Sequence, residues 1–330
     1  MGGAIYYESP TTEEHLLKEC IFTKNSAFSN GHAIYINGPG TTVHISDLCQ
    51  FQDNSQNGGS QIVIDGKATL DFSNSTVSLS EESSFKARGI ELMTGSLNAH
   101  NTTFSNIQAP DSNGKIEGNA ILVNRGNNEA TIEYNLFMDC YINNKLSYAV
   151  TFNGSRLNFI HNTFDFSSNK GCGCLRVYTT GNIIIEENIF RNANTPSGFS
   201  GVLYYEELER LPQSPSTKIR YNTFEKCTSQ QTACFKFKWI SQDYEFTDNS
   251  FQNNVLDNYL GEFDFMGKKI NGTFYCGGNS FINNSAKSRY GGGSGLWFQN
   301  KPSANEYLLE NHFSLFIEDC RFIGNHAIGD

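Results

Sequence analysis

The sequence predicts an all-β fold, a right-handed single-stranded parallel β-helix with about 10 or 11 rungs, in which residues 1–330 form one solenoid domain. Two observations predict it. An Asn-x-Phe unit returns every 26 to 34 residues, and self-similarity at such a period is typical of repeat proteins. Apolar residues alternate with polar ones before each unit, which indicates strands rather than helices.

The Asn-x-Phe units predict two ladders of stacked side chains. Each strand of a coil lies roughly 4.8 Å from the equivalent strand of the next rung, so equivalent residues stack. We expect the rings to stack in the core, and the asparagines to bond to the backbone and to the next rung at a bend. The ladder members are Asn135, Asn162, Asn188, Asn222, Asn249 and Asn279, with Phe137, Phe164, Phe190, Phe224, Phe251 and Phe281. Phe22, Phe51, Phe104 and Phe322 extend the phenylalanine column, with Phe72 as a weaker member.

A second strand precedes each of these units, as at 33–36, 61–64 and 295–298, and most copies end in turn residues. Insertions of loop size lie at 110–118, 206–216 and 301–311, where a solenoid most readily carries function. The polar stretch 206–211 is interpreted as a turn of helix or a loop.

Nine cysteines are scattered without metal-ligand spacing. Cys20, Cys49 and Cys320 replace asparagine in the ladder, and Cys140 and Cys227 replace asparagine three residues after the phenylalanine. Because a free thiol packs as a small apolar group, this exchange predicts buried ladder cysteines rather than catalysts. A disulfide between Cys20 and Cys49, which would be neighbours on the stack, is left open.

The composition excludes several partners. The formal net charge of −10 argues against nucleic acid, which rewards clustered basic residues. No run approaches the roughly 18 apolar residues of a membrane span, and no signal peptide is visible at the N-terminus. Sequons for N-glycosylation, which give weak support for secretion, occur at Asn74, Asn101, Asn153, Asn271 and Asn283.

Residues at both ends resemble the FxxN and GGA(I/L) repeats of the polymorphic outer-membrane protein family. Residues 22–25 (Phe-Thr-Lys-Asn) followed by 31–34 (Gly-His-Ala-Ile), the motif Gly-Gly-Ala-Ile at 2–5, and 281–284 followed by 291–293 carry the likeness. The middle of the chain is similar to right-handed, pectin-lyase-like parallel β-helices. This resemblance implies a surface-displayed solenoid that acts in adhesion or immune variation. A chain that opens on a glycine motif and stops just after an FxxN is expected to be a stretch of a longer solenoid.

Many parallel β-helices act on polysaccharides, and that chemistry needs recognisable groups. Hydrolysis needs two carboxylates about 5 to 9.5 Å apart, and lyases need a base with carboxylates that hold Ca²⁺. The polygalacturonase-like signatures are absent, so no catalytic residue is predicted; the weak candidates are Glu186, Glu187, Glu207 and Arg220. Glu133, Glu186 and Arg220 hold the same repeat position on what the alignment takes as successive rungs, and a solvated stripe with an ion pair is the favoured interpretation.

The remaining polar residues support neither a metal site nor a nucleotide site, and no cofactor is predicted. Tyr204 with Tyr205, Tyr6 with Tyr7, and Trp297 form a carbohydrate platform if they face outward, although alternation places about half of them inside. The sequence therefore favours a non-enzymatic cell-surface or secreted protein that binds a host surface protein or a carbohydrate. A polysaccharide-active lyase, hydrolase or epimerase is the alternative.

Overall fold

The computed structural model describes most of the chain, and its described residues contain strands and no helix. The described ranges are 3–28, 30–55, 58–80, 86–109, 117–140, 147–166, 172–195, 201–207, 216–229, 234–239, 243–257, 259–265, 271–287, 295–300 and 312–328. The insertion 301–311 and most of the insertions 110–118 and 206–216 lie outside them. Within these ranges no helix is long and apolar enough to cross a membrane.

The largest sheet has 20 strands and contains two strands from each coil, which we call the first and second strand rows. The first row consists of Ile5–Glu8, Ile34–Asn37, Ser60–Asp65, Arg88–Leu92, Glu117–Val123, the beginnings of Ser147–Ile160 and Gly173–Glu186, Leu203–Glu207, Phe235–Trp239, Gly261–Phe265 and Leu296–Asn300. The second row consists of Glu13–Lys18, Thr41–Ser46, Ala68–Ser73, Gly95–His100, Glu129–Glu133, the ends of the same two long strands, Ser216–Arg220, Asp243–Thr247, Asn271–Gly277 and His312–Glu318.

Two smaller sheets complete the coil. The phenylalanine sheet has 11 strands: Ile21–Thr23, Gln50–Gln52, Thr76–Ser78, Thr103–Ser105, Leu136–Met138, Thr163–Asp165, Ile189–Arg191, Thr223–Glu225, Ser250–Gln252, Ser280–Ile282 and Arg321–Ile323. The short sheet has five: Asn194–Thr195, Thr228–Ser229, Val255–Leu256, Ser285–Lys287 and His326–Ile328. All pairings link equivalent strands in parallel, for example Phe137 opposite Phe164. The predicted all-β solenoid is confirmed, while the hand of the coil stays a prediction.

The predicted phenylalanine ladder fills the core. All six rings from Phe137 to Phe281 are buried. Successive centroids lie 4.6 to 5.2 Å apart with interplanar angles of 8° to 18°. Phe72 is not a member of this column, because it lies in the second strand row and Val77 takes the place opposite Phe104. The prediction that Phe72 belongs to the phenylalanine column was wrong, because it relied on the spacing of aromatic residues alone.

The asparagine ladder is also confirmed, and all six members are buried. From Asn162 to Asn279, each Oδ1 accepts two hydrogen bonds from the asparagine of the preceding rung: Asn188 Oδ1 accepts from the backbone N–H of Asn162 at 2.8 Å and from its Nδ2 at 3.1 Å. Asn135 Oδ1 accepts one bond, from the backbone N–H of Thr102 at 3.0 Å. Asn188 Nδ2 in turn donates to the carbonyl of Phe159 at 2.9 Å. The side chains therefore satisfy backbone groups at a bend where strand pairing is interrupted.

Each of these bends is made by a residue in the left-handed conformation. The residue before the ladder asparagine has a positive φ, as in His161 (56°), Glu187 (56°) and Tyr221 (58°). A second bend follows most of the phenylalanines, where Asp139, Asn192 and other residues of the same position again have a positive φ, although Phe166 after Phe164 does not. Because one left-handed residue redirects the chain sharply, two such residues in most coils separate the second strand row, the phenylalanine sheet and the short sheet.

A bulge in the first strand row places two consecutive residues in the core. Ala33 and Ile34 are both fully buried. The backbone N–H groups of Cys174 and Leu175 both donate to the carbonyl of Val202, which is the corresponding irregularity in a later rung. Such a bulge breaks the simple alternation of a strand. It gives the Ala-Ile part of the glycine motif a physical role, since the alanine fits beside the inward isoleucine.

Candidate functional site

The weak catalytic candidates Glu186 and Arg220 form an ion pair between neighbouring rungs on the outer wall. Arg220 Nε donates to Glu186 Oε1 at 2.6 Å, and Arg220 also lies 3.6 Å from Glu245 Oε1. The hydrogen bond with Glu186 raises the pKa of the Arg220 guanidinium. Glu133 does not adjoin this pair, because Ile160 occupies the intervening rung. The prediction that Glu133, Glu186 and Arg220 stand on successive rungs was wrong.

Glu187 and Glu207 lie in different surroundings. Glu187 is half-exposed at a bend, and its Oε2 lies 3.0 Å from Nδ1 of His161. Glu207 is buried with 1% exposure and accepts a hydrogen bond from the hydroxyl of Tyr244 at 3.3 Å. It belongs to the strand Leu203–Glu207, so the polar stretch that begins at 206 continues the sheet through residue 207 and is not a helix there.

An internal polar cluster surrounds Glu207. The hydroxyls of Tyr205 and Tyr244 are 3.0 Å apart, and the Tyr205 hydroxyl also contacts Thr217 at 3.0 Å. Burial raises the pKa of both tyrosines, with the charge of Glu207 contributing. The described groups are therefore satisfied inside the coil, and the four weak candidates do not converge on one reaction centre.

A different set of residues forms a continuous column on the outward side of the first strand row. Alternate residues of these strands, such as Ile34 and Ile36, point into the core. The residues between them pair from rung to rung as Tyr6, Tyr35, Val63, Glu91, Leu122, Thr151, Arg176, Tyr204, Lys236, Glu262 and Trp297. We call this the outward column. With ten steps of roughly 4.8 Å it extends over about 48 Å.

Aromatic side chains stand at both ends of the outward column. The rings of Tyr6 and Tyr35 stack at 5.6 Å, and Tyr6 is 39% exposed. At the other end, the ring of Trp297 stacks with Tyr259 at 4.7 Å. Tyr204 lies at the outward parity of its strand but is only 4% exposed, and its neighbour Tyr205 points into the core and is fully buried. Alternation thus points the two side chains to opposite sides of the strand, while neither ring is exposed.

The middle of the column holds an arginine among tyrosine rings. The guanidinium carbon of Arg176 lies 4.2 Å from the ring centroid of Tyr178, 5.1 Å from that of Tyr204 and 5.8 Å from that of Tyr148. A Cβ at Gly173 would overlap the ring of Tyr148, so glycine is needed there for the ring to lie against the strand. We call Arg176, Tyr148, Tyr178 and Tyr204 the arginine–tyrosine cluster.

Three carboxylates beside the cluster are engaged by lysines. Lys236 Nζ lies 2.8 Å from Glu262 and 3.5 Å from Asp264, and Lys238 Nζ lies 3.5 Å from Glu206. The hydroxyl of Tyr204 makes a short hydrogen bond to Glu206. Burial and Glu206 raise the pKa of Tyr204, so its phenol stays protonated at neutral pH. The arrangement suits binding better than proton transfer, because its acids are paired and its phenol holds its proton.

The comparisons and the metal-ligand geometry add no assignment. No family model matches the chain, and neither the curated proteins nor the solved structures contain a match. Across the part of the chain that the structure describes, no three His, Cys, Asp or Glu residues are grouped so that they could hold a metal. All nine cysteines are free thiols, including the neighbouring Cys20 and Cys49.

The arginine–tyrosine cluster was missed by the sequence reasoning. The available signal was a single arginine in the otherwise apolar segment 174–177, at the outward parity of a strand. A charged residue in such a segment indicates an outer face. The tyrosines come from three different rungs, at 148, 178 and 204, so only the register of the coil brings them together.

Proposed function

We propose that this chain is a non-enzymatic cell-surface or secreted β-solenoid that binds carbohydrate through the outward column. The observation that carries the proposal is the arginine–tyrosine cluster, set in a column with aromatic stacks at both ends. Tyrosine and tryptophan offer a flat apolar face together with a polar edge. Sugar rings present apolar C–H faces and hydroxyls, so they complement such side chains.

The shape of the molecule supports a binding role over a catalytic one. A parallel solenoid presents a long wall with a repeat of roughly 4.8 Å, which suits an extended chain of similar units. Three carboxylates of this wall, Glu206, Glu262 and Asp264, are each within 3.5 Å of a lysine, and Glu91 of the column accepts hydrogen bonds from Ser60, Asn30 and Asn124. A hydrolase needs one protonated and one ionised carboxyl group flanking the bond, whereas these three carboxylates are engaged with Lys236 and Lys238.

The surface location and the adhesion role rest on the FxxN and GGA(I/L) resemblance. The bulge at Ala33–Ile34 and the bend after Phe22 give both motifs a structural reason within a coil. We therefore extend the proposal to adhesion of the polymorphic outer-membrane protein type, with a host-surface glycan as the partner.

A binding panel tests the proposal. The purified chain is titrated with immobilised neutral and acidic oligosaccharides, alongside Tyr6→Ala, which removes an exposed ring of the column, and Trp297→Ala. We expect each substitution to weaken binding at least tenfold, because each removes an aromatic face from the column. Tyr275→Ala is the matched control, since Tyr275 lies in the second strand row and is 36% exposed. Equal binding by all variants, or no binding by the parent chain, would overturn the proposal.

The enzymatic alternative is tested on the same material. The chain is incubated with uronate-containing and neutral polysaccharides, with and without Ca²⁺, and the mixture is assayed for new reducing ends and unsaturated products. We expect no turnover. Turnover that disappears in Glu186→Gln or Glu207→Gln would replace the binding proposal with a polysaccharide-active enzyme.

A further inference from the structure

We propose that Arg176 recognises an anionic substituent, a carboxylate or a sulfate ester, on the sugar that the outward column binds. This inference rests on the proposed function and narrows its ligand to an acidic glycan. Arg176 and its neighbour Thr151 each carry a buried polar atom that has no partner among the described residues.

Arg176 is a buried cation without a hydrogen-bond acceptor. Its side chain retains 7% exposure, and its Nε is buried and has no acceptor among the described residues. Its contacts are the faces of Tyr148, Tyr178 and Tyr204. A guanidinium carries five N–H donors in a fixed fork. Leaving the Nε–H without an acceptor in a desolvated place costs free energy that a structural arginine would not need to carry.

Thr151 provides a second buried polar group without a hydrogen-bond partner among the described residues. It stands directly opposite Arg176 on the neighbouring rung. Its Oγ1 is buried and has no partner among the described residues, and the residue is 4% exposed. A hydroxyl can donate to an anion. Two adjacent rungs thus direct unused donors to the same outward position of the first strand row.

The nearby charges leave the positive charge of Arg176 uncompensated by any ion pair. Glu206 is the carboxylate whose charge acts on Arg176, and it is held by the hydroxyl of Tyr204 and lies 3.5 Å from Lys238. Burial lowers the pKa of the guanidinium, with Glu206 and the tyrosines opposing that shift. Arginine remains charged throughout the physiological range, so the cluster presents one cation that lacks its own anion.

The chemistry of the missing partner follows from the shape of the fork. Carboxylate and sulfate oxygens accept two parallel N–H bonds from arginine, and such charge-assisted pairs are about twice as strong as neutral ones. The half-buried Tyr178 borders the guanidinium. A sugar ring stacked on that tyrosine would present its acidic substituent to Arg176 and Thr151.

Stacking alone is the competing explanation, and the two differ in their effect on stability. A cation over an aromatic face gains stabilisation when it is desolvated, whereas burial of an unpaired charge is costly. A structural role predicts that Arg176→Met melts at a lower temperature. A recognition role predicts a melting temperature that is unchanged or higher, because methionine keeps the stem and removes the unpaired charge.

The experiment measures affinity and melting temperature for the parent chain, Arg176→Met, Arg176→Lys and the control Arg156→Gln. Arg156 is an exposed arginine in the second-row part of the strand Ser147–Ile160, so its substitution removes the same charge from the wall. The probes are an oligogalacturonate, its neutral counterpart, a sulfated oligosaccharide and sodium sulfate. We expect the parent chain to bind at least one acidic probe tenfold or more tightly than the neutral one.

Each outcome of this experiment either supports or contradicts the inference. The inference is supported if Arg176→Met loses the preference for acidic probes while its affinity for the neutral probe and its melting temperature stay at the parent values. The Arg156→Gln control should keep the acidic preference. Partial retention of that preference in Arg176→Lys supports a charge-dependent contact. The acidic probe that the parent chain prefers identifies carboxylate or sulfate. Neutral and acidic probes bound equally would overturn the inference and leave the proposed function standing. Stabilisation by sodium sulfate that depends on Arg176, without binding of any glycan, would keep the anion site and overturn the proposed function.

Discussion

Individual asparagine side chains carry much of the polar bonding between rungs. Each ladder amide replaces backbone pairing at a bend, where the chain leaves the second strand row and enters the phenylalanine sheet. Asn188 alone accepts two bonds from Asn162 and donates to the carbonyl of Phe159. Since the amide is buried with 0% exposure, water cannot replace these bonds.

Asn188→Ala is expected to destabilise the coil strongly. The substitution leaves the N–H of Asn162 and the carbonyl of Phe159 without these partners, and each buried unsatisfied group costs about 1–3 kcal/mol. Urea unfolding measures the free-energy change. Asn158→Ala is the control, because Asn158 lies on the outward side of the second strand row. An equal midpoint for Asn188→Ala and the parent chain would show that the ladder bonds do not stabilise the fold.

Burial also couples stability to alkaline pH through Cys172. This thiol is buried, and desolvation raises its pKa from 9.0 to about 12. The folded chain therefore keeps the proton that the unfolded chain releases above pH 9, and the contribution of the thiol is complete below that pH. Stability should fall by up to about 1.4 kcal/mol per pH unit as the pH rises from 9 towards 12.

Urea midpoints of the parent chain and Cys172→Ala at pH 7, 9 and 10.5 measure this coupling. We expect the alanine variant to lose less stability between pH 9 and 10.5 than the parent chain. Val177→Ala, a buried core substitution that removes no titrating group, should keep the pH dependence of the parent. If the urea midpoints of Cys172→Ala and the parent chain change equally with pH, the Cys172 thiol does not couple stability to pH.

At the scale of the element, the bends depend on residues in the left-handed conformation. Leu48 occupies one such bend with a φ of 67°, directly after Asp47 at 53°, and its side chain is 73% exposed. A left-handed conformation costs roughly 1–2 kcal/mol for an ordinary residue, while asparagine adopts it more readily. The leucine therefore strains the bend without burying its side chain in return.

Leu48→Asn is expected to stabilise the chain by up to about 1 kcal/mol, because asparagine relieves the strain of the left-handed bend. Chemical denaturation measures the gain. Leu16→Asn is the matched control, since Leu16 is 59% exposed but lies within the strand Glu13–Lys18, where asparagine is disfavoured. A gain of similar size in both variants would mean that the effect comes from surface polarity rather than from the bend.

Strand positions could be predicted from the sequence because their period of two is visible along the chain. The ladder from Asn135 to Phe281 follows from that pattern. The pairing of Arg176 with Tyr204 and Tyr148 could not be predicted, since it depends on the register between rungs and on a bulge that shifts the alternation. Because the register between rungs is not visible in the sequence, Glu133 was also predicted to lie beside Glu186, although the rung of Ile160 lies between them.

At the scale of the whole molecule, stability and recognition are distributed differently. The core is a series of rungs, each of which packs on its neighbours, as the rings of Phe164, Phe190 and Phe224 show. Recognition is proposed for one column on one wall. A change in the core therefore acts locally along the axis, while a change in the column leaves the core intact.

Phe190→Ala tests the local character of the core. Loss of this buried ring should cost about 3–5 kcal/mol. Because the stability of a solenoid is a sum of rung and nearest-neighbour terms, amide hydrogen exchange should accelerate most in Thr163–Asp165, Ile189–Arg191 and Thr223–Glu225. Protection of the distant strand Ile34–Asn37 should stay near that of the parent chain.

Ile189→Ala is the matched control for this experiment, since Ile189 adjoins Phe190 on the same strand but is 39% exposed. Its exchange profile should change little. A uniform loss of protection from Ile34–Asn37 to Ser280–Ile282 in Phe190→Ala would show that the coil unfolds as a single cooperative unit. If protection is lost only locally and the oligosaccharide affinity is unchanged, recognition does not depend on the packing of this core rung, as expected for binding at the outward column.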